Sequence, residues 1–251
     1  MIVSRVYPTA DAPIDIDDDA SRQALLELYR PEAMSSVRIN LIASVSGSVG
    51  GSDGTSNTLS NPVDRRILGV IRELGDVVLI GAQSVRAESY VLPRRAPLAI
   101  VTSSGDLSGH GIAADASTDR VYVLCPAASA DRVKQTLGAV SAEIIEIAAD
   151  PRGQLSMTDV VTALQVRGFE SIVCEGGPRL AAQLLDAGLV DEICLTTSPL
   201  LNGSAVPILG RALHEERAVT LLQLLVDDAS GIYARWSLRR AQPHAAPSAN
   251  G

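Results

Sequence analysis

Residues 171–180 read Ser-Ile-Val-Cys-Glu-Gly-Gly-Pro-Arg-Leu, and this stretch decides the fold. An apolar run from Ser171 to Cys174 precedes two glycines, and from Pro178 onward apolar residues recur at helical spacing. The pattern predicts a strand, a glycine turn and a helix start, because proline suits the first helical turn. Free N–H groups at such a helix start favour an anion, and Glu175 would lie beside it. The alternative is a tight turn that carries a surface glutamate.

The rest of the chain alternates between apolar strand patterns and amphipathic helix patterns. Strands are predicted at 37–43, 77–80, 98–102, 121–124 and 144–147, and helices at 21–29, 62–74, 130–137 and 156–166. Such alternation predicts an α/β fold, with a mostly parallel sheet between helices on both faces. Three further strand patterns at 192–197, 219–226 and 231–238 have no helix between them, so the sheet is predicted to end antiparallel.

This pattern predicts one main domain over residues 37–240. Residues 1–36 are interpreted as an N-terminal arm with a short helix. Residues 241–251 are small, polar and proline-containing, which is typical of a disordered tail.

The composition argues against several classes of protein. A formal net charge of -8 and a single lysine speak against a nucleic-acid partner, because neutralising phosphates needs a clustered basic surface. No apolar run reaches the length of about 18 residues that a membrane span needs, and no signal peptide is recognisable at the N-terminus. The three cysteines each lie inside an apolar run and are interpreted as buried free thiols. We therefore expect a cytoplasmic protein.

Common catalytic motifs are missing from the sequence, which contains no Gly-Lys-Ser/Thr loop, no Cys-x-x-Cys and no His-x-x-x-His. We therefore predict no metal site and expect a bound nicotinamide cofactor to supply the chemistry. Polar segments at 81–84 and 102–105 end two predicted strands, at the edge where α/β sheets bind ligands, and the loop 44–60 is rich in glycine and hydroxyl groups. Arg72 and Arg95 suit a phosphate through their planar guanidinium groups, although such arginines are often solvated surface residues.

Taken together, the sequence resembles the riboflavin-pathway pyrimidine reductases, which form the C-terminal domain of bifunctional deaminase-reductases. The resemblance covers roughly residues 37–238 and rests on several strings in a fixed order. They are Ala43-Ser44-Val45-Ser46-Gly47, residues 74–85, Glu175-Gly176-Gly177-Pro178, and residues 189–192 followed by 198–203. The resemblance implies a dihydrofolate-reductase-like, three-layer α-β-α fold. The zinc-deaminase motifs of the bifunctional proteins are missing from this sequence, so it implies the reduction alone.

The resemblance also implies an activity and a set of contacts. The activity is the NADPH-dependent reduction of 5-amino-6-(5-phosphoribosylamino)uracil, a phosphorylated small molecule, to its ribitylamino form. The implied substrate contacts are Ser56, Arg72, Leu92, Arg95 and Glu175, with the arginines and Ser56 toward the phosphate and Glu175 as the catalytic residue. The implied NADPH contacts are Ile42, Thr58, Ser84, Glu88 and Ser103, with the turn Gly176, Gly177, Pro178, Arg179 and Leu180 at the pyrophosphate.

Three positions depart from the family's pattern. Ser46 stands where the family has aspartate, Asn40 is the nearest residue to a lysine that many members carry, and Glu88 replaces an aspartate of the cofactor loop. Two alternatives stay open: a pteridine- or dihydrofolate-like reductase, which needs no phosphate site, and a non-catalytic NADPH-binding protein. We also predict a homodimer paired through strands 219–226 and 231–238, which would otherwise expose a long apolar edge.

Overall fold

The computed structural model describes residues 1–18, 20–88, 90–114, 117–203 and 206–238. Its helices are α1 (Ala20–Tyr29), α2 (Pro62–Glu73), α3 (Ala82–Ala87), α4 (Ala130–Leu137), α5 (Met157–Gln165) and α6 (Pro178–Asp186). Its strands are β1 (Ile2–Tyr7), β2 (Ile14–Asp15), β3 (Ser36–Ser44), β4 (Val77–Gly81), β5 (Leu98–Val101), β6 (Val121–Cys125), β7 (Glu143–Glu146), β8 (Ser171–Cys174), β9 (Glu192–Ser198), β10 (Thr220–Asp227) and β11 (Ile232–Ser237). The tail predicted at 241–251 lies outside the described residues.

These strands form one sheet in the order β2-β1-β10-β11-β9-β3-β8-β4-β5-β6-β7. The pairings from β9 through β3 to β7 are parallel. Those from β2 through β10 and β11 to β9 are antiparallel. The α/β class, the mostly parallel sheet and its antiparallel end are therefore confirmed.

Strand β4 shows why the central strands have unbroken apolar sequences. Its residues Val77 to Ile80 are at most 1% exposed, because helices cover both faces of the sheet. Val77 and Leu79 pack in the cluster that contains α5 and α6, whereas Val78 and Ile80 pack in the cluster that contains α3 and α4. Helices α1 and α2 cover the antiparallel half, on the same face as Val78. The molecule therefore has three layers.

The sequence patterns missed β1, β2 and α3. In β1 only Val3 is fully buried, so no alternation of apolar and polar residues marks the strand. Its partner β10 lies at the other end of the chain, which a local pattern cannot reveal. Helix α3 has six residues, too few to show a helical repeat of apolar positions.

The pairing of β1 with β10 removes the argument that the sequence offered for a homodimer. That argument assumed that the late strands leave a long apolar edge exposed. In the structure β10 lies between β1 and β11, and β11 lies between β10 and β9. The expectation of an exposed edge is therefore wrong, because the chain covers this edge itself. The homodimer stays a prediction without this support.

A buried network of charges fastens α1 to the sheet. Arg38 donates from Nε to Glu192 at 2.7 Å and from Nη2 to the carbonyl of Tyr29 at 2.8 Å. Arg235 donates from Nε to the second Glu192 oxygen at 2.7 Å, and a terminal nitrogen donates to the carbonyl of Leu28. The three charged side chains are each less than a tenth exposed. Two cations therefore meet the last carbonyls of α1, where the helix dipole is negative.

We expect Glu192→Gln to lower the free energy of unfolding by about 3–5 kcal/mol, because it leaves two buried guanidinium groups without their counter-charge. Urea unfolding followed by circular dichroism measures the change. The matched control is Glu143→Gln, which removes the partner of Arg167 in a largely exposed pair and should cost at most about 1 kcal/mol. Equal losses in the two variants would contradict a structural role for the buried network.

Candidate functional site

The predicted strand, glycine turn and helix start lie at the centre of the candidate site. Strand β8 ends at Cys174 and α6 begins at Pro178, as the sequence predicts. Gly176 has a φ of +99°, which residues with a side chain rarely adopt, and the Gly176–Gly177 peptide is cis. The Gly176 carbonyl accepts the N–H of Gly81 at 2.9 Å. The turn therefore joins the carboxyl ends of β4 and β8.

The Glu175 side chain is 7% exposed and pairs with Arg72 of α2. Arg72 donates from Nε to one carboxylate oxygen and from Nη2 to the other, both at 2.6 Å. The Tyr90 hydroxyl accepts from the same Nη2 at 2.7 Å and donates to the carboxylate. The reading of Glu175 as a surface turn residue is therefore wrong. Two of the expected substrate contacts are bonded to each other.

Burial and pairing fix the charges of this cluster. Burial alone would lower the pKa of Arg72, but the hydrogen bond and the charge of Glu175 raise it, so the guanidinium stays a cation. Burial, and after it the charge of Glu175, raises the pKa of Tyr90 well above the ordinary phenol value, so Tyr90 keeps its proton. Oε1 of Glu175 accepts one of the bonds described above, which leaves it able to accept another from a ligand.

The main cleft has a volume of about 590 Å³ and lies at the carboxyl ends of β4 and β8. The expected site residues that line it are Ile42, Ser56, Ser84, Glu88, Glu175, Gly176, Gly177 and Pro178. An adjoining cavity of about 360 Å³ shares the glycine turn with the cleft and adds Arg179 and Leu180. Most of the expected cofactor contacts are therefore brought together around one turn.

Arg72 and Arg95 lie at a separate space of about 550 Å³, which we name the arginine cavity. Its lining consists of Arg22, Arg65, Arg66, Gly69, Val70, Arg72, Glu73, Arg94 and Arg95. Ser56 lines the main cleft and is not among these residues. The three residues expected to bind one phosphate are therefore divided between two spaces.

Three expected contacts line none of these spaces in the part of the chain that the structure describes. Thr58 donates its hydroxyl to Asp53 at 3.1 Å. Leu92 packs against the apolar cluster beneath α3 and α4. The carbonyl of Ser103 accepts the hydroxyl of Ser129 at 2.8 Å. Each of these residues therefore makes hydrogen bonds or packing contacts with other residues of the protein.

The main cleft is acidic. Asp53, Asp64, Glu88 and Glu175 line it, and no arginine, lysine or histidine is among its lining residues in the described ranges. Burial raises the pKa of Asp64 and that of Glu88 above the ordinary carboxyl value. Asp64 accepts the hydroxyl of Ser60 at 2.7 Å. The cleft therefore disfavours phosphate and offers acceptors to N–H groups of a ligand.

Sequence reasoning missed Asp64 and Tyr90 as cleft residues. The N–H of Asp64 donates to the Asn61 side chain at 2.8 Å, so in sequence Asp64 is indistinguishable from an ordinary helix-start residue. The position of Asp64 in the sequence could have identified it, because Asp64 closely follows the loop 44–60, which was expected at the ligand-binding edge of the sheet. Tyr90 follows a short helix that has no recognisable repeat, and nothing in the sequence pattern marked it.

Ser46 stands where the family pattern has aspartate, and it has a structural role here. Its hydroxyl donates to the Asn202 side-chain oxygen at 3.0 Å, and Ser44 donates to the same oxygen at 2.9 Å. The Asn202 amide in turn donates to the carbonyl of Gly50 at 2.7 Å. Neutral groups therefore tie the loop 44–60 to the segment after β9. Asn40, the nearest residue to the family's lysine, lines the main cleft as a further neutral group.

All three cysteines are buried and free, as the sequence predicts. Burial raises the pKa of the Cys174 thiol to about 12 and that of Cys194 to about 11. No group of three or more metal-ligating side chains is placed to hold an ion within the described ranges. Among the same residues, no helix has the length and apolar character needed to cross a membrane.

Comparisons with known proteins give a family and a fold. A family model described as the RibD C-terminal domain matches residues 35–229. No curated protein matches the chain significantly. A solved pyrimidine reductase-like protein from Corynebacterium diphtheriae is 20% identical with a TM-score of 0.73, over 87% of this chain and 99% of its own.

Two further solved structures are similar. A bifunctional deaminase and 5-amino-6-(5-phosphoribosylamino)uracil reductase from Thermotoga maritima is 17% identical with a TM-score of 0.63, over 81% of this chain and 56% of its own. The riboflavin biosynthesis reductase of Saccharomyces cerevisiae is 14% identical with a TM-score of 0.58, over 86% of this chain and 96% of its own. This chain thus spans about half of the bifunctional protein. The dihydrofolate-reductase-like fold that the resemblance implied is confirmed.

We expect Asp64→Asn to raise the melting temperature at neutral pH. The folded-state pKa of Asp64 is raised above 3.8 by burial, so this carboxyl makes folding less favourable as pH rises from about 3.8 through the folded value. The gain in Asp64→Asn should shrink as the pH falls toward 3.8. Thermal unfolding across this pH range measures it.

Asp53→Asn serves as a control of opposite sign. Hydrogen bonds from Thr55 lower the pKa of Asp53, so the carboxylate stabilises the fold above about 3.8 and this contribution is lost as the pH falls. Asp53→Asn should therefore lower the melting temperature at neutral pH. A gain in both variants would show that removing negative charge, and not the burial of Asp64, is responsible.

Proposed function

Since the chain belongs to the RibD C-terminal domain family, we propose that it is an NADPH-dependent reductase of riboflavin biosynthesis. The proposed reaction converts 5-amino-6-(5-phosphoribosylamino)uracil to its ribitylamino form. The observation that carries the proposal is the glycine turn at Gly176 and Gly177, because the main cleft and the adjoining cavity meet there. A turn in this position suits one ligand that spans both spaces, as a dinucleotide does.

The adjoining cavity suits the pyrophosphate of NADPH. Helix α6 has nine residues, and the N–H groups of its first turn have no partners within the helix. Arg179 adds a positive charge at the same place. A Cβ on Gly177 would lie 2.7 Å from Oγ of Ser84, so the glycine keeps the turn and α3 close together at the cavity. When bound, NADPH supplies the hydride for the reduction.

The main cleft suits the pyrimidine. Glu175 accepts a hydrogen bond from the N–H groups of the pyrimidine, while Arg72 and Tyr90 hold the carboxylate in position. The carboxylates that line the cleft repel the phosphate of the substrate. Arg72 and Arg95 line the arginine cavity, where the positive charges favour that phosphate.

The reduction needs a proton as well as a hydride. Reduction at C1 of the ribose would break the bond between C1 and the ring oxygen, and the ring oxygen would take a proton. Asp64 and Glu88 are the groups proposed to pass this proton from water to the ring oxygen, because both line the cleft and burial raises the pKa of each carboxyl. The hydroxyl of Ser60 holds the Asp64 carboxyl at 2.7 Å.

A pteridine-type reductase is the second candidate function. The observation that favours it is the division of the expected phosphate contacts, since Ser56 lies in an acidic cleft and Arg72 is already bonded to Glu175. A neutral heteroaromatic substrate needs only the cleft. The two candidates therefore differ in whether the arginine cavity contributes to substrate binding.

Stopped-flow oxidation of protein-bound NADPH by the phosphorylated pyrimidine tests the proposed function and separates the candidates. We expect Arg95→Gln to raise KM for the phosphorylated substrate about tenfold and to leave the dephosphorylated substrate unaffected, because a charged hydrogen bond to phosphate is lost. Arg95 is 74% exposed, so the variant should fold. Oxidation by dihydropteridines alone, unaffected by Arg95→Gln, would favour the second candidate. Absence of oxidation by either class would leave a non-catalytic NADPH-binding protein.

We expect Glu175→Gln to reduce kcat/KM by on the order of ten- to a hundredfold, because the substrate loses a charged acceptor whose side chain is largely buried. Its affinity for NADPH should stay nearly unchanged, since the proposed cofactor contacts are the glycine turn and Arg179. Steady-state kinetics and calorimetry with NADPH measure the two effects.

Tyr90→Phe is the matched control for Glu175→Gln. It removes one hydrogen bond from the carboxylate but leaves the ion pair with Arg72, so its loss of activity should be smaller. Full activity in Glu175→Gln would contradict the proposal that Glu175 binds the pyrimidine. Loss of folding in that variant, with Tyr90→Phe fully active, would show that the carboxylate has a structural role.

A further inference from the structure

Six arginines line the arginine cavity, although the formal net charge of the chain is -8. Positions 65, 66, 72 and 73 share one face of α2 with Gly69, because each is three or four residues from it. Arg22 comes from α1, and Arg94 and Arg95 come from the segment before β5. Among the described lining residues, Glu73 is the one carboxylate.

Two carboxylates near the cavity bond three of these arginines and compensate one third of the six positive charges. Glu73 accepts from Nε of Arg22 at 3.1 Å and from Arg95 at 2.7 Å. Glu175 pairs with Arg72 from the side of the main cleft. These contacts account for three of the six arginines.

The other three arginines are Arg65, Arg66 and Arg94, and the ion pairs of the described residues include none of them. Arg65 donates to the neutral Asn57 side chain at 3.3 Å, and Arg66 donates to the hydroxyl of Ser21 at 3.3 Å. The Nε of Arg66 is buried and has no acceptor among the described atoms. A buried donor of a charged group is costly when it is left without an acceptor. An anion in the cavity would offer this donor an acceptor.

Gly69 leaves open space among these side chains. A Cβ at this position would contact no heavy atom within 4 Å. Glycine in the interior of a helix is less favourable than alanine, so its presence is not explained by the stability of α2. The open space lets a ligand approach the helix closely between the arginines.

We propose that the arginine cavity binds a diphosphate group. A phosphate monoester carries about -1.5 to -2 charges, which leaves part of the charge of Arg65, Arg66 and Arg94 uncompensated. A second phosphoryl group supplies the remaining negative charge, and guanidinium groups bind phosphate oxygens two at a time. The inference rests on the proposed function for Arg72 and Arg95, the expected phosphate contacts, and extends that end of the site to a ligand with two phosphoryl groups.

Calorimetric titration of the full chain with inorganic pyrophosphate and with orthophosphate, at matched ionic strength, tests this inference. We expect pyrophosphate to bind at least about tenfold more tightly than orthophosphate. The double variant Arg65→Gln/Arg94→Gln should lose about tenfold or more of the pyrophosphate affinity and keep its affinity for NADPH. Both side chains are exposed, so the double variant should fold.

Three further variants define the site. Arg152→Gln removes the same charge from the turn after β7, outside the cavity, and should bind pyrophosphate like the wild type. Arg179→Gln tests the proposed cofactor cavity. Gly69→Leu should weaken pyrophosphate binding without changing the charge, because the added side chain fills the open space.

The inference is overturned if the two anions bind equally, if the double variant keeps its affinity, or if Arg152→Gln loses as much. A loss confined to Arg179→Gln would place pyrophosphate at the cofactor cavity and would also overturn it. Intact pyrophosphate binding without any turnover of NADPH would remove the proposed function and leave the diphosphate site standing.

Discussion

The candidate site depends on the ion pair between Arg72 and Glu175. It joins α2 to the turn after β8, two segments that lie 103 residues apart in the chain. The carboxylate faces the main cleft and the guanidinium faces the arginine cavity, so the pair forms part of the wall between them. Because both groups are largely buried, their attraction is stronger than it is in water. Tyr90 fixes the orientation of the pair from the cleft side. A change in either charged partner therefore alters the cleft, the cavity and the packing of α2 together.

This wall separates two regions of opposite charge. Carboxylates line the main cleft, and arginines with one shared glutamate line the space behind it. A ligand with a neutral ring and an anionic end has one favourable orientation in such a field, with its ring toward Glu175 and its anion toward Arg95. The third region lies across the glycine turn, around the start of α6, and its lining combines the charge of Arg179 with that of Glu88. Orientation in the proposed reaction therefore follows from the distribution of charge as much as from shape.

Local patterns predicted much of the fold, and contacts between distant segments account for what they missed. Helix α4 has the predicted bounds, because its apolar repeat lies within one element. Strand β1 has no such repeat, and β10, the longer of its two partner strands, follows more than two hundred residues later. The same distinction between local patterns and distant contacts applies to the candidate site. The glycine turn after β8 was recognisable from ten consecutive residues, whereas the pairing of Arg72 with Glu175 and the separation of Ser56 from Arg95 depend on how distant elements pack. Asp64 was visible as a helix-start residue, but its burial beneath the cleft was not.

The position of β1 has a consequence for the order in which the chain folds. Ile2 donates its N–H to Asp228 at 3.1 Å, across 226 positions of sequence. During synthesis from the N-terminus, β1 can pair only with the two-residue β2 until the last strands emerge, whereas β3 to β8 are complete by Cys174. Contacts of such long sequence range form slowly, because the entropy of closing the loop is lost before the contacts stabilise it. The antiparallel edge is therefore the last part of the sheet to close. Until it does, the edge of β1 that will face β10 stays open and can pair with a neighbouring chain.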